Sequence, residues 1–272
     1  MGAHSLESGA MAEFQLRPLD TGGVLKESVT AYRHRFGTLI ATAAVLDLPY
    51  AVLYYVLADE PPPLSALPTN EELSAFVGAL GPWLVIRLLI TSVLFAAVIR
   101  TVGETYAGVE SSWRDTTAAA ISRMVALAVV TVLFWAGVTL GSAMFVFPGL
   151  FLVVAWSATL SAVIIEGAGP LTAFARSWVI TAGRRMAIFG ILAITSALVV
   201  VANLVLVVIL GEVFGFLLGG SGSLLASEIV WVITQPFIAV VLAVLYLDLR
   251  VRKEELDTDW LSLQISATSF DS

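Results

Sequence analysis

Six apolar stretches of roughly twenty residues each constrain this chain more than anything else in it, because a bilayer core of about 30 Å takes about 20 residues at a helical rise of 1.5 Å. They run over 36–57, 81–102, 124–145, 148–165, 186–210 and 229–249. Hydrophobic side chains make up 58% of the 272 residues and charged ones only 13%, against about 25% charged in a soluble domain. A soluble fold built from these helices would have almost no polar face to turn to water. The pattern therefore predicts an all-α, polytopic membrane protein with six transmembrane helices.

The basic residues predict its orientation, since Lys and Arg beside span ends stay on the cytoplasmic side. Arg17, Lys26, Arg33 and Arg35 precede span 1, and Arg100, Arg114 and Arg123 lie at or between the ends of spans 2 and 3. Arg176, Arg184 and Arg185 separate spans 4 and 5; Arg250, Arg252 and Lys253 follow span 6. The opposite loops, 58–80, 146–147 and 211–228, hold Asp59, Glu60, Glu71, Glu72, Glu212 and Glu228 but nothing basic. Both termini are thus expected in the cytoplasm. Of the 14 basic residues only Arg87 falls inside a span. No cleavable signal peptide is expected, because the first apolar stretch follows about 35 polar residues and is itself long enough to span.

The connections on the basic side predict a pseudo-threefold repeat of helix hairpins, each led by an amphipathic helix. Leu25, Val29, Tyr32 and Phe36 share one face in the first; Trp113, Thr117, Ile121 and Met124 in the second; Leu171, Phe174, Ala175 and Trp178, after Pro170, in the third. Pro82, Pro148 and Pro236 recur near the expected outer ends of the second spans. Residues 59–82 open with DEPPP and pass into a short helical stretch, whereas 211–228, apolar but rich in glycine, reads as a loop lying on the membrane or a re-entrant segment. The expected organisation is a disordered leader over 1–14, a six-span domain over 15–258 and a flexible cytoplasmic tail over 259–272.

The segments RPLDTGGVLKESVTAYRHRFGTLI, PGLFLVVAW, EGAGPLTAFARSW, QPF and LYLDLRVRKEELD resemble the membrane domain found ahead of some bacterial glycerophosphoryl diester phosphodiesterases, and the similar six-span YciC-like family. The likeness covers about residues 15–258. Relatives commonly carry glycine where this chain has Glu255. The resemblance implies a multi-pass protein of the bacterial plasma membrane. It does not imply the phosphodiesterase reaction, which belongs to a separate barrel domain, and it transfers no functional residues.

The chemistry left to the chain is narrow. With no cysteine, thiolate, disulfide and Cys-metal chemistry are excluded, and with two histidines, His4 in the leader and His34 between Arg33 and Arg35, neither a metal site nor a Ser-His-Asp arrangement is expected. A net charge of −7 argues against nucleic acid, and no cofactor motif is present. Polar groups inside the membrane are costly unless paired. Asp47 lies 12 residues above Arg35, about 18 Å, and Arg87 lies 13 residues from Arg100, about 19.5 Å, which predicts an ion pair between spans 1 and 2. Asn203 and Gln235 are expected to hydrogen-bond across helices or to line a pathway. Gly137 and Gly141 give a GxxxG spacing suited to close packing within the chain or to dimerisation. Glu166, Asp248, Arg100 and Glu104 read as ordinary charges near span ends.

Function is expected from these placements alone. Arg33, Arg35, Arg176, Arg184 and Arg185 form an expected basic rim for anionic lipid headgroups. The favoured reading is a non-enzymatic protein that binds or organises lipids or a partner membrane protein at the cytoplasmic face. The alternative is a transporter or channel subunit with a polar cavity around Asp47, Arg87, Asn203 and Gln235. An intramembrane enzyme is the least favoured.

Overall fold

A computed structural model describes residues 16–58, 65, 68–109, 111–218 and 221–270. The expected leader over 1–14 and the DEPPP segment lie outside these residues. The described chain is built of helices: α1 (Thr21–His34), α2 (Phe36–Leu57), α3 (Asn70–Tyr106), α4 (Trp113–Ser122), α5 (Met124–Met144), α6 (Val146–Ala155), α7 (Thr159–Ile165), α8 (Pro170–Thr181), α9 (Arg185–Leu218), α10 (Ser221–Glu254) and α11 (Thr258–Phe270). Six candidate spans, with α6 and α7 forming one, are long and apolar enough to cross a bilayer. This fits a multi-pass membrane protein.

The helices fall into three successive units of an amphipathic helix and a hairpin: α1–α3, α4–α7 and α8–α10. Within each hairpin the first span is peripheral and the second central. The apolar windows of α2, α5 and α9 are 17% to 28% buried, whereas those of α3, α6–α7 and α10 are 39% to 67% buried. The second spans meet one another around the middle of the bundle, with α3 packed on both α7 and α10. Local chemistry repeats too. Arg35 and Arg123 break the chain at matching dihedrals between amphipathic helix and first span, and each guanidinium reaches the loop that opens the next unit. Arg35 donates to the Ser111 carbonyl at 2.6 Å, and Arg123 to the Gly167 carbonyl at 3.4 Å. Just past each second span stands a residue with left-handed backbone: Gly108 (φ 71°), Gly167 (φ 70°) and Glu255 (φ 53°). The left-handed turn ends a helix most cheaply on glycine. The third unit makes it with glutamate.

Helix starts are chemically marked where the sequence expects them. Thr69 with Glu72 and Ser112 with Asp115 form capping boxes, each satisfying backbone N–H groups that the first turn leaves unpaired; these bonds hold the Asp115 carboxyl below its usual range. Pro170 opens α8.

Four expectations are corrected. First, 211–228 is not a surface loop: α9 continues to Leu218 and α10 starts at Ser221, so glycines tolerated in long apolar helices carry both spans outward. At 34 residues each is about 51 Å long and exceeds the bilayer core. Second, Pro82 and Pro236 sit inside α3 and α10 rather than near their ends. The hydroxyl of the half-buried Tyr32, its pKa pushed up to about 12 by desolvation, donates to the Ile233 carbonyl at 2.6 Å, one turn before Pro236. Third, the fourth span breaks between α6 and α7. Ser177 and Thr181 of α8 bond the Ala155 carbonyl at 2.8 and 3.2 Å, and Ser177 accepts from the Ala158 N–H at 3.1 Å, satisfying backbone that hydrocarbon could not.

Fourth, the expected flexible tail forms α11. The Asp257 carboxylate accepts the Trp260 N–H at 2.7 Å, and Leu261 and Ile265, spaced by one turn, are buried in a helix packed on α3 and α7. A β-carbon on Gly103 would stand 3.3 Å from Ile265 Cδ1, so the bare glycine gives the helix its seat.

Candidate functional site

Two charged regions occupy opposite ends of the bundle. In the half away from the basic residues, Arg87 of α3 places its Nη1 3.4 Å from Asp47 Oδ1 of α2 and 3.4 Å from Glu228 Oε2 of α10. The guanidinium lies 5.0 Å from the ring centroid of Tyr50 and 4.8 Å from that of Trp231. Two aromatic faces and two carboxylates thus hold one cation, an arrangement that a planar guanidinium suits. The Asp47 side chain has no exposed surface, Arg87 retains 15% and Glu228 32%. Depth along the spans anticipates the approach of Asp47 and Arg87. Glu228 is missed because 211–228 reads as a loop, whereas its place on α10 turns it inward.

Asn203 donates to the Val199 carbonyl at 2.8 Å and to Thr234 Oγ1 at 3.1 Å. Its cross-helix partner is therefore Thr234, the neighbour of Gln235, which is itself buried. The GxxxG spacing serves the chain's own hairpin: the Trp156 ring lies over Gly137, 2.5 Å from where a β-carbon would stand, and a β-carbon on Gly141 would stand 3.0 Å from the Gly149 backbone nitrogen.

At the other end, Glu166, Arg176, Tyr246, Arg250 and Glu254 form one network. Arg176 and Glu166 are paired at 2.8 Å, and Arg176 also pairs with Glu254; Tyr246 donates to Glu166. Hydrogen bonds that Arg176 donates to Glu254 and then to Glu166 raise its pKa still further above its ordinary value. Arg250, with 1% of its side chain exposed, reaches Glu254 at 3.0 Å and Gln264 of α11 at 2.6 Å. A cleft of about 460 Å³ opens beside this network, with Glu255, Asp257 and Trp260 at its wall. Arg100 bonds Glu104 at 2.5 Å and the Ile265 carbonyl at 2.9 Å. Asp248 accepts from the Leu19 N–H at 2.6 Å and from Arg252 at 2.9 Å, while Arg252 donates to the Leu19 carbonyl at 2.5 Å. Arg100, Glu104 and Asp248, expected to be ordinary span-end residues, are buried, Glu166 is half-buried, and Asp248 with Arg252 joins segments up to 233 residues apart.

The expected basic rim divides accordingly. Arg176 and Arg35 spend their guanidinium groups on partners within the chain. Arg33 is exposed and Arg184 half-buried. Arg185 stacks 4.4 Å from the centroid of Trp178 and 4.8 Å from that of Phe151. Gly183, Arg184, Arg185, Met186 and Ala187 line a second cleft of about 580 Å³. Among the described residues no group of three or more histidine or acidic side chains is placed to hold a metal ion. Comparison with family models, with curated proteins and with solved structures gives no match to this chain.

Proposed function

We propose that this is a non-enzymatic protein of a bacterial plasma membrane that binds anionic lipid headgroups at its basic end, with that end and both termini in the cytoplasm. The observation that carries the reading is the collar around Arg184 and Arg185. Arg185 lies against Trp178 and Phe151, and Leu171, Trp178, Val179 and Met186 are exposed beside it. Apolar residues next to arginine at a helix boundary suit the interface, where each basic group contributes about 1 kcal/mol of attraction to an anionic leaflet. The likeness to a domain fused to lipid-headgroup phosphodiesterases supports a lipid-linked role, with a partner membrane protein as the other occupant of this face. Asn203, bonded to Val199 and Thr234, lends no support to a polar pathway.

Native mass spectrometry of protein taken from mixed phosphatidylglycerol and phosphatidylcholine bilayers tests the reading. The wild-type protein is expected to retain phosphatidylglycerol preferentially, and the Arg184→Gln, Arg185→Gln variant to lose most of that preference. An unchanged ratio overturns it.

A further inference from the structure

The centre around Arg87 contains two carboxylates and one guanidinium, so as drawn it carries one unit of excess negative charge. It stands between helices, walled by the rings of Tyr50 and Trp231, where an unbalanced charge is far more costly than in water. The imbalance also decides what the site can accept. Arg87 already has two anionic partners, which disfavours a phosphate or carboxylate ligand. The missing charge is positive.

Asp47 is where that charge belongs. Its side chain is fully buried, and neither carboxylate oxygen accepts a hydrogen bond; Arg87 stands at 3.4 Å from one of them. An ionised carboxylate ordinarily gathers several donors to replace its lost water. Glu228 differs, keeping a third of its side chain exposed and accepting from Arg87. The charged groups facing Asp47 are Arg87 from α3 and Glu228 from α10, with the Tyr50 hydroxyl on its own helix turned to the Trp83 carbonyl. A metal ion would find only these two carboxylates, with a guanidinium beside both. A proton needs no further ligand.

We propose that the Asp47–Arg87–Glu228 centre is a proton-binding site in which Asp47 is the protonated member, taking its proton from water on the side opposite the basic end by way of Glu228. The bond formed is O–H on an Asp47 carboxylate oxygen, the donor is hydronium or the protonated Glu228 carboxyl, and no electron moves. Uptake leaves Arg87 and Glu228 as a neutral pair. Release returns the excess charge, and Arg87 must then serve both carboxylates. The site is thereby a place where proton occupancy changes what holds α2, α3 and α10 together, independently of lipid binding at the other end.

Infrared difference spectroscopy of the protein in nanodiscs, titrated between about pH 8 and about pH 5, tests this. At about pH 7 the wild type is expected to show the C=O stretch of a protonated carboxyl, shifted by 13C-labelled aspartate but not by 13C-labelled glutamate, and lost in Asp47→Asn. Glu228→Gln removes the excess negative charge. In that variant the band is expected to vanish at about pH 7 and to return at least about one pH unit lower, a tenfold loss of proton affinity. Absence of the band from the wild type, its shift with glutamate labelling alone, or an unmoved titration in Glu228→Gln overturns the proposal. The labelling needs no substitution, so it decides the matter even where Asp47→Asn fails to fold.

Discussion

The two ends of the bundle handle charge in opposite ways. At the basic end Glu166, Arg176, Arg250 and Glu254 answer one another in a shared network, and Arg100, Asp248 and Arg252 tie in backbone from distant segments. The surrounding stretch of α3 from Ser92 to Glu104 is almost continuously buried. At the far end the same helices are largely uncovered, with Leu84, Val208 and Phe216 exposed, and Arg87 is the cation among the described polar contacts between spans, beside the neutral bonds of Tyr50 to Trp83 and Asn203 to Thr234. Redundant charges tolerate the loss of one member; a single cation shared by two carboxyl groups does not. The packing of this fold is therefore specified mainly at the basic end, and at the far end the charge balance rests on Arg87.

Substitutions at Arg87, Arg250 and Glu255 sharpen or break that contrast. Arg87→Leu is expected to have the largest effect, lowering stability in detergent by about 3–5 kcal/mol because it removes the one cation that Glu228 and the buried Asp47 share. Adding Glu228→Gln is expected to restore part of the thermal midpoint, because it removes the charge left stranded. If Arg87→Leu costs less than a typical surface change, the far end does not depend on its cation. Arg250→Gln is expected to cost less, about 2–3 kcal/mol, since Arg176 still pairs with Glu166 and Glu254. A larger loss than that of Arg87→Leu reverses the comparison. Glu255→Gly is expected to act in the other direction, raising stability by up to about 1 kcal/mol by relieving a left-handed backbone at a non-glycine residue. Destabilisation by that change, read in the same thermal scan, shows instead that the Glu255 side chain contributes at the cleft.

What the sequence makes legible follows from how local each signal is. Hydropathy alone places the six spans, and periodicity places α1, α4 and α8. Depth arithmetic brings Asp47 to Arg87 because both lie on helices whose basic ends are marked by arginine. Glu228 escapes it. Its helix starts within a glycine-rich stretch that carries the composition of a loop, so no depth can be assigned. Glu166, Arg250 and Glu254 escape for a different reason: a charge at a span end is ordinarily free to reach water, and only the tertiary convergence of α7, α8, α10 and α11 brings these together. The break after Ala155 is equally invisible, because its backbone is satisfied by Ser177 and Thr181 from another helix. Helix α11 carries too few apolar residues to read as structure until Gly103 and its neighbours offer a surface. The left-handed positions at Gly108, Gly167 and Glu255 are partly legible, since two of the three are glycine.

The bonds between Leu19 and the pair Asp248 and Arg252 have a consequence for biogenesis. The most buried of the six spans, α10, follows the other five along the chain, and the segment it clasps precedes them. A nascent chain that has delivered five spans to the bilayer still lacks the Ile233 carbonyl that receives Tyr32, the Glu228 partner of Arg87 and the Asp248 carboxylate that holds Leu19. Its amphipathic α1 then has α2 and α9 to rest on but lacks α10, the helix it packs against most extensively. Assembly of these six spans is accordingly a closure between span 6 and the segment that precedes span 1, completed only once the sixth span has joined the other five.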